Sequence, residues 1–257
     1  HSYSSAASDV YKRQAKFKML HSLLINRGLV KHSQVHRPLS VPRKDLETIH
    51  DRRYHVAFST DQLSRSEQRR IGLPATPPLV QRTWLAVGGT LLTARLALRH
   101  GIASHLAGGT HHAHPSFGSG FCIFNDCAVT AQVLLNQGCV DRLLVLDLDV
   151  HQGDGTAACF SEDTRVFTLS MHAASNFPLR KVASDLDLNL KDGTGDEAYL
   201  LTIGEHLPDV LDRIKPQLVL YNAGVDPHRD DRLGRLALSD QGLSLIHISE
   251  PTRPTPI

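Results

Sequence analysis

The sequence predicts an α/β fold, a mostly parallel sheet flanked by helices, on three observations. Short apolar runs alternate with helix-length amphipathic segments. The runs Leu143–Leu148 and Leu218–Tyr221 are built largely of Leu and Val, and the polar clusters able to do chemistry follow such runs at once. Strands separated by helices imply crossover connections and parallel pairing. In sheets of this kind ligands collect beyond the carboxyl ends of the strands.

Taken in order, Lys16–Asn26 has helical apolar spacing and stops before Gly28, which predicts a helix. Arg43–His50 and Thr60–Arg70 predict short helices in a polar region. After Pro74, Pro77 and Pro78, Leu79–Arg99 reads as one long amphipathic helix ended by Gly101. Ala103–Leu106 is predicted as a strand, followed by a helix at Asp126–Asn136, the strand Leu143–Leu148 and a helix at Gly155–Phe160. Strand Val166–Ser170, helix Glu197–Ile214 and strand Leu218–Tyr221 complete the alternation.

The 257 residues are 41% hydrophobic and 21% charged, the profile of a globular chain long enough to bury a sizeable core. No run approaches the ~20 apolar residues of a membrane helix. Net charge is only +2, and the basic pairs Arg52-Arg53 and Arg69-Arg70 have acids nearby, which argues against direct nucleic-acid binding. Cys122, Cys127, Cys139 and Cys159 form no C-x-x-C pair and sit in apolar segments, so they read as reduced, buried thiols of a cytoplasmic protein. Ser4–Gln14 (SSAASDVYKRQ) and Leu243–Arg253 (LSLIHISEPTR) resemble in-frame translations of sequencing-library adapters. On that reading residues 1–14 and 243–257 are foreign tails, and 15–242 is a domain truncated at both ends.

Leu146–Gly155 (LDLDVHQGDG) carries the strongest chemical signal. In a regular strand Asp147, Asp149 and His151 share one face. Acids in a segment of Leu and Val are costly unless paired or bound to a cation. Asp and His without Cys point to a divalent catalytic site, not a structural zinc. A second cluster, Gly108–His114 (GGTHHAH), follows the predicted strand Ala103–Leu106. One loop histidine is ordinarily a surface residue, but a tandem pair at a strand end is placed for acid and base work, with Asp147 and Asp154 as candidate partners. In Ser119–Asp126 (SGFCIFND), Phe121 after Gly120 can line an apolar channel, although an aromatic here also fits a core. In Tyr221–Gly234, otherwise a charged surface loop, the strand can deliver Asp226 to the same edge. Two Asp and one His leave an open coordination position, as catalysis requires.

In this order and spacing the clusters resemble the histone deacetylase family of the arginase-like fold, most closely its class IV and bacterial branch. The resemblance spans Ala15–Gly242 and includes the helix Leu79–Thr90 (LVQR…GGT), the GGTHHA, SGFCIFND and DLDVHQGDG runs, and AGVD…DRLG. It implies a three-layer arginase/deacetylase-like fold with Asp149, His151 and Asp226 as metal ligands. It further implies a dyad of His111 and His112 backed by Asp147 and Asp154, and acyl-tunnel walls at Gly120, Phe121, Phe177 and Leu233. The implied ion is Zn2+, with Fe2+ as the alternative, and a structural K+ is implied at the Asp147, Asp149 and His151 segment and Ser170. The implied reaction is hydrolysis of an N-acyl amide, in the first place acetyl-lysine in a protein. Small acetylated amines such as acetylpolyamines, or long-chain acyl-lysine, are the alternative substrates, and a non-catalytic metal- and acyl-binding protein is the alternative class.

Two departures qualify the resemblance. Manganese ureohydrolases of the same fold carry D-x-H-x-D, whereas here Gly153 follows His151-Gln152 and His228 stands two after Asp226, which implies a single ion. The family's tyrosine after a Gly-Gly pair does not occur before Gly242, and Tyr221 is not placed to replace it. Loss of one oxyanion donor costs ~10² to 10³ in rate, so the resemblance implies slow turnover. It also implies a missing first strand and a missing last part of the sheet, leaving an edge prone to association.

Overall fold

The computed structural model describes residues 16–247. The predicted amino-terminal tail, and the other tail beyond His247, lie outside the described residues. A helical region comes first: α1 (16–26), α2 (Arg43–Leu46), α3 (Arg52–Ser59), α4 (Arg65–Ile71) and α5 (Pro77–His100). The alternating part follows: α6 (Asp126–Asn136), β1 (Leu143–Asp147), α7 (Asp154–Phe160), β2 (Val166–Ala173), β3 (Leu186–Leu190), α8 (Asp196–Ile214), β4 (Leu218–Asn222) and α9 (Asp240–His247).

The four strands pair in the order β3-β2-β1-β4, all parallel. Every residue of the central strand β1 is buried, which explains why it reads as an unbroken apolar run. Its side chains alternate between two cores. Leu143 and Val145 join Phe58, Phe124 and Leu134 on the side of α3, α5 and α6, while Leu144 and Leu146 join Leu169, Met171 and Tyr199 on the side of α8. The result is three layers, helix, sheet and helix. Register sets Asp147 opposite Ser170 on one neighbour and Asn222 on the other, so the carboxyl edge of the sheet is polar.

Helix boundaries follow local chemistry. Ser64 and Glu67 form a reciprocal cap that starts α4, and Gly72, at φ 76°, ends it. This shortens the predicted helix Thr60–Arg70, because Ser64 offers its hydroxyl as a cap. The predicted helix Arg43–His50 stops at Leu46, and α3 restarts after Asp51. Within α5, Gly88 lets the chain at Leu39 lie against the helix, where a Cβ would run into the Leu39 carbonyl.

The strand predicted at Ala103–Leu106 does not form. The segment pairs with no strand among the described residues and is held to α5 instead, with His105 Nδ1 2.9 Å from Thr90 Oγ1. β3 was not anticipated, since Leu186–Leu190 (LDLNL) interleaves polar residues: Asn189 is exposed, and Asp187 is half-buried and accepts from Gln152 Nε2 at 2.9 Å. The helix α9 crosses the predicted domain end at Gly242, and Leu243 and Ile246 pack against the second core. All four cysteines are free; Cys122 and Cys127 are buried, but Cys139 is exposed in the turn after α6, correcting its reading as a buried thiol. Among the described residues no helix is long and apolar enough to cross a membrane.

Candidate active site

β1 ends at Asp147, and the chain then turns through residues 148–153 before α7 begins at Asp154. Only Asp147 of the predicted strand face is therefore in a strand; Asp149 and His151 converge through this turn. Asp147 Oδ1 accepts the Asp149 N–H at 3.1 Å, and Asp149 Oδ1 accepts the His151 N–H at 2.9 Å, so each acid folds the chain over itself. Asp226 arrives from the loop after β4, and its Oδ1 accepts the Val150 N–H at 3.0 Å.

Asp149, His151 and Asp226 each present one ligand atom, and the three atoms lie within 4.8 Å of one another at half-buried positions. His151 Nδ1 stands 2.9 Å from Asp149 Oδ1 and 3.2 Å from Asp226 Oδ2. Burial alone would lower the pKa of His151, but hydrogen bonds to Asp149 and Asp226 push it up to about 9. Burial would raise Asp149, while the His111 charge and the His151 hydrogen bond hold it below its ordinary range. Two carboxylates competing for one imidazole proton is an arrangement that a divalent cation relieves. The O, N, O donor set suits zinc or iron(II), and three protein ligands leave a further position open.

Two buried histidines flank this cluster. His111 Nδ1 lies 2.5 Å from Asp147 Oδ2, and His112 Nδ1 lies 2.6 Å from Asp154 Oδ1. Each carboxylate accepts from Nδ1–H, which leaves both Nε2 atoms free to exchange protons. His111 Nε2 is 3.8 Å from Asp149 Oδ1, and the two imidazole rings are 4.1 Å apart. Burial opposes protonation of His111, yet the charges of Asp147 and Asp149 raise it to about 10. Burial and the neighbouring His111 lower His112 to about 4. Asp154, opposed by burial, is held at about 2 by hydrogen bonds from His112 and His114.

The predicted wall residues take distinct positions. Phe177 stands edge-on to His112 at 4.8 Å and 89°, and is partly exposed. A Cβ at Gly120 would meet both the His112 and Phe177 rings, so only glycine fits between them. Phe121 adopts a left-handed φ of 65°, its N–H donates to the Ile71 carbonyl at 2.9 Å, and its ring lies over Gly72. Leu233 is exposed, and its carbonyl accepts from Asn176 Nδ2 at 2.7 Å, which brings its loop beside Phe177. Ser170, opposite Asp147, borders a cavity of about 10 Å³ with Asp147, Thr156 and Thr168, the size of one water or ion.

Sequence reasoning passed over several residues of this site. His114 Nε2 shares Asp154 at 2.9 Å, and Asn222 Nδ2 donates to Asp147 Oδ2 at 3.3 Å. Asn125 and Asp126 grip the loop that carries both histidines. The signal for His114 was its place in HHAH; the others were visible only as ordinary strand-end and helix-start residues.

Known proteins resemble this chain in sequence and in fold. The family model described as "Histone deacetylase domain" matches residues 10–249. A protein of Picosynechococcus sp. is 51% identical over 228 residues, covering 89% of this chain and 76% of that protein. Histone deacetylase 2 of Arabidopsis thaliana is 29% identical over 90% of this chain and 62% of its own length. Acetoin utilization protein AcuC of Staphylococcus aureus is 31% identical over 87% of this chain and 63% of its own. The chain thus spans between about three fifths and three quarters of these relatives. Among solved structures, the HD domain of HDA15 superposes with a TM-score of 0.76 at 20% identity, covering 90% of this chain and 69% of that one. A histone deacetylase homologue from Aquifex aeolicus superposes with a TM-score of 0.75 at 24% identity, covering 86% and 65%. These likenesses show the fold, and the match of the family model over nearly the whole chain shows that it belongs to the histone deacetylase family.

Proposed function

We propose that the chain carries the centre of a metal-dependent deacylase that hydrolyses an N-acyl amide, most simply an acetylated lysine side chain, to amine and carboxylate. The observation that carries the reading is the half-buried Asp149, His151 and Asp226 set lying directly beside two carboxylate-backed histidines. A divalent ion held by these three residues, Zn2+ first and Fe2+ second, supplies Lewis acidity for the acyl carbonyl and for water at neutral pH. His112, neutral and with Asp154 fixing its Nδ1–H, is the base that takes the water proton at Nε2. His111, held protonated by Asp147, is the acid that donates to the leaving amine. Gly120, Phe121, Phe177 and Leu233 line the approach, with Phe177 shielding the His112 ring. The cavity between Asp147 and Ser170 is our candidate for a structural K+.

This stretch of sequence contains no Gly-Gly-Tyr. The test is hydrolysis of acetyl-lysine peptide, acetylputrescine and myristoyl-lysine peptide, each before and after chelation. Metal-dependent cleavage of the acetyl-lysine peptide above the other two is expected. Preference for either other substrate would move the reading to a small-molecule amidohydrolase or a long-chain deacylase. Hydrolysis that survives chelation unchanged would overturn the metal mechanism.

A further inference from the structure

We infer that Asn125 and Asp126, at the start of α6, are positioning residues that hold the two histidines of the candidate dyad through their backbone. The inference rests on the reading of His111 and His112 given above. Neither residue takes part in the proton transfers, yet both are almost wholly buried. Asp126 Oδ2 accepts the Gly109 N–H at 3.1 Å, and Oδ1 accepts the Thr110 N–H at 2.8 Å. The Thr110 hydroxyl lies 2.6 Å from Oδ1, and the Thr90 hydroxyl donates to Oδ2 at 2.5 Å. Among the described residues no Lys or Arg pairs with this acid, so loop amides and hydroxyls do the work of a counter-charge.

Asn125 complements it. Its Nδ2 donates to the Ala113 carbonyl at 3.2 Å and lies 3.5 Å from the His111 carbonyl, while its Oδ1 caps α6 by accepting the Ala128 N–H at 2.9 Å. The acid thus takes N–H groups just before the histidines, and the amide takes C=O groups at and after them. The loop is gripped on both sides of His111-His112 by two adjacent residues of one helix end. Gly108 fits this reading, because a Cβ there would lie 2.6 Å from Asp126 Oδ2. A third link runs to α5, since Thr90 Oγ1 also lies 2.9 Å from His105 Nδ1. With the Thr90 proton directed to Asp126, His105 donates to Thr90 and the chain of hydrogen bonds has one direction. Side-chain carboxylates fix the rotation of the imidazole rings; this clamp fixes where the rings stand. A displacement of about 1 Å in such groups costs on the order of 10² in rate.

Amide hydrogen exchange of the full chain tests the clamp directly. In Asp126→Asn an amide NH2, a donor, replaces one of the two acceptor oxygens, and the negative charge that strengthens both hydrogen bonds is lost. The Gly109 and Thr110 amides should then exchange about 10 to 100-fold faster, the loss of a charge-assisted hydrogen bond, while β1 amides keep their rates. Zn2+ affinity should stay within about threefold, since the ligands belong to other loops, and turnover of acetyl-lysine peptide should fall in kcat with KM held. A folded variant with unchanged Gly109 and Thr110 exchange overturns the clamp whatever its turnover. Faster exchange with undiminished turnover overturns the positioning role. A wild-type chain that hydrolyses none of the three substrates removes the deacylase reading and leaves the exchange result standing. If Asp126→Asn does not fold, Thr90→Val and Thr90→Ser decide. Val should speed exchange of the two amides about fivefold, by loss of one neutral hydrogen bond, and Ser should restore it. Equal exchange in Val and wild type overturns the inference.

Discussion

His50 is a buried imidazole with both nitrogens satisfied in one neutral form: Nδ1 donates to the Pro115 carbonyl at 3.3 Å and Nε2 accepts the Asn125 N–H at 2.8 Å. Burial lowers its pKa to about 4, against 6.5 for a free histidine. The unfolded chain therefore takes up the proton first, so this contribution is complete above about pH 6.5 and is lost as pH falls towards 4. His112, lowered by burial to about 4, acts in the same window. We expect the urea midpoint of the metal-free chain to drop between pH 6.5 and 4, with a shallower drop in His50→Gln; identical slopes would contradict this. His112→Ala should lower turnover by about 10² to 10⁴ while one ion still binds. Candidate ligands and dyad residues were legible because acids and paired histidines have no ordinary reason to follow apolar runs. Asn125, Asp126 and Asn222 were not, because their partners are loop amides, carbonyls and an acid reached only through folding. The site also depends on a turn where strand alternation was expected: only Asp147 is in β1, and Asp149 and His151 are carried by hydrogen bonds back to the acids before them.

Glycines within two helices separate two roles that sequence cannot distinguish. A Cβ at Gly88 in α5 would collide with the Leu39 backbone, so Gly88→Ala should cost about 1 to 3 kcal/mol in urea unfolding. Gly204, exposed in α8, has nothing within 4 Å of such a Cβ. Gly204→Ala should stabilise by about 0.5 to 1 kcal/mol. Equal signs for the two changes would sink this reading. Periodicity located α5, α6, α8, β1, β2 and β4 because each has a wide buried face. It overcalled Ala103–Leu106, an apolar segment with no strand beside it among the described residues, and missed β3, whose polar residues belong to a sheet edge. The boundary drawn at Gly242 met a helix whose Leu243 and Ile246 cover the core on the α8 side.

At the scale of the molecule, three layers bring residues far apart in sequence to one edge of the sheet, where their charges couple binding to stability. Hydrogen bonds to Asp149 and Asp226 overcome burial and raise His151 to about 9, and the charges of Asp147 and Asp149 raise His111 to about 10. Both values lie above that of the unfolded chain, so these contributions are complete below about pH 6.5 and are lost as pH rises through 9 to 10 in the metal-free protein. A cation competes with the His151 proton, so Zn2+ should raise the Tm more at pH 8 than at pH 6. A pH-independent rise would place the ion elsewhere. The central claim, one divalent ion held by Asp149, His151 and Asp226, is tested most directly by titrating Zn2+ into the metal-free full chain in a calorimeter, alongside Asp226→Asn. One ion per chain, bound about 100-fold more weakly in the variant, is the expected result. Equal binding by both proteins, or none by the wild type, would contradict it.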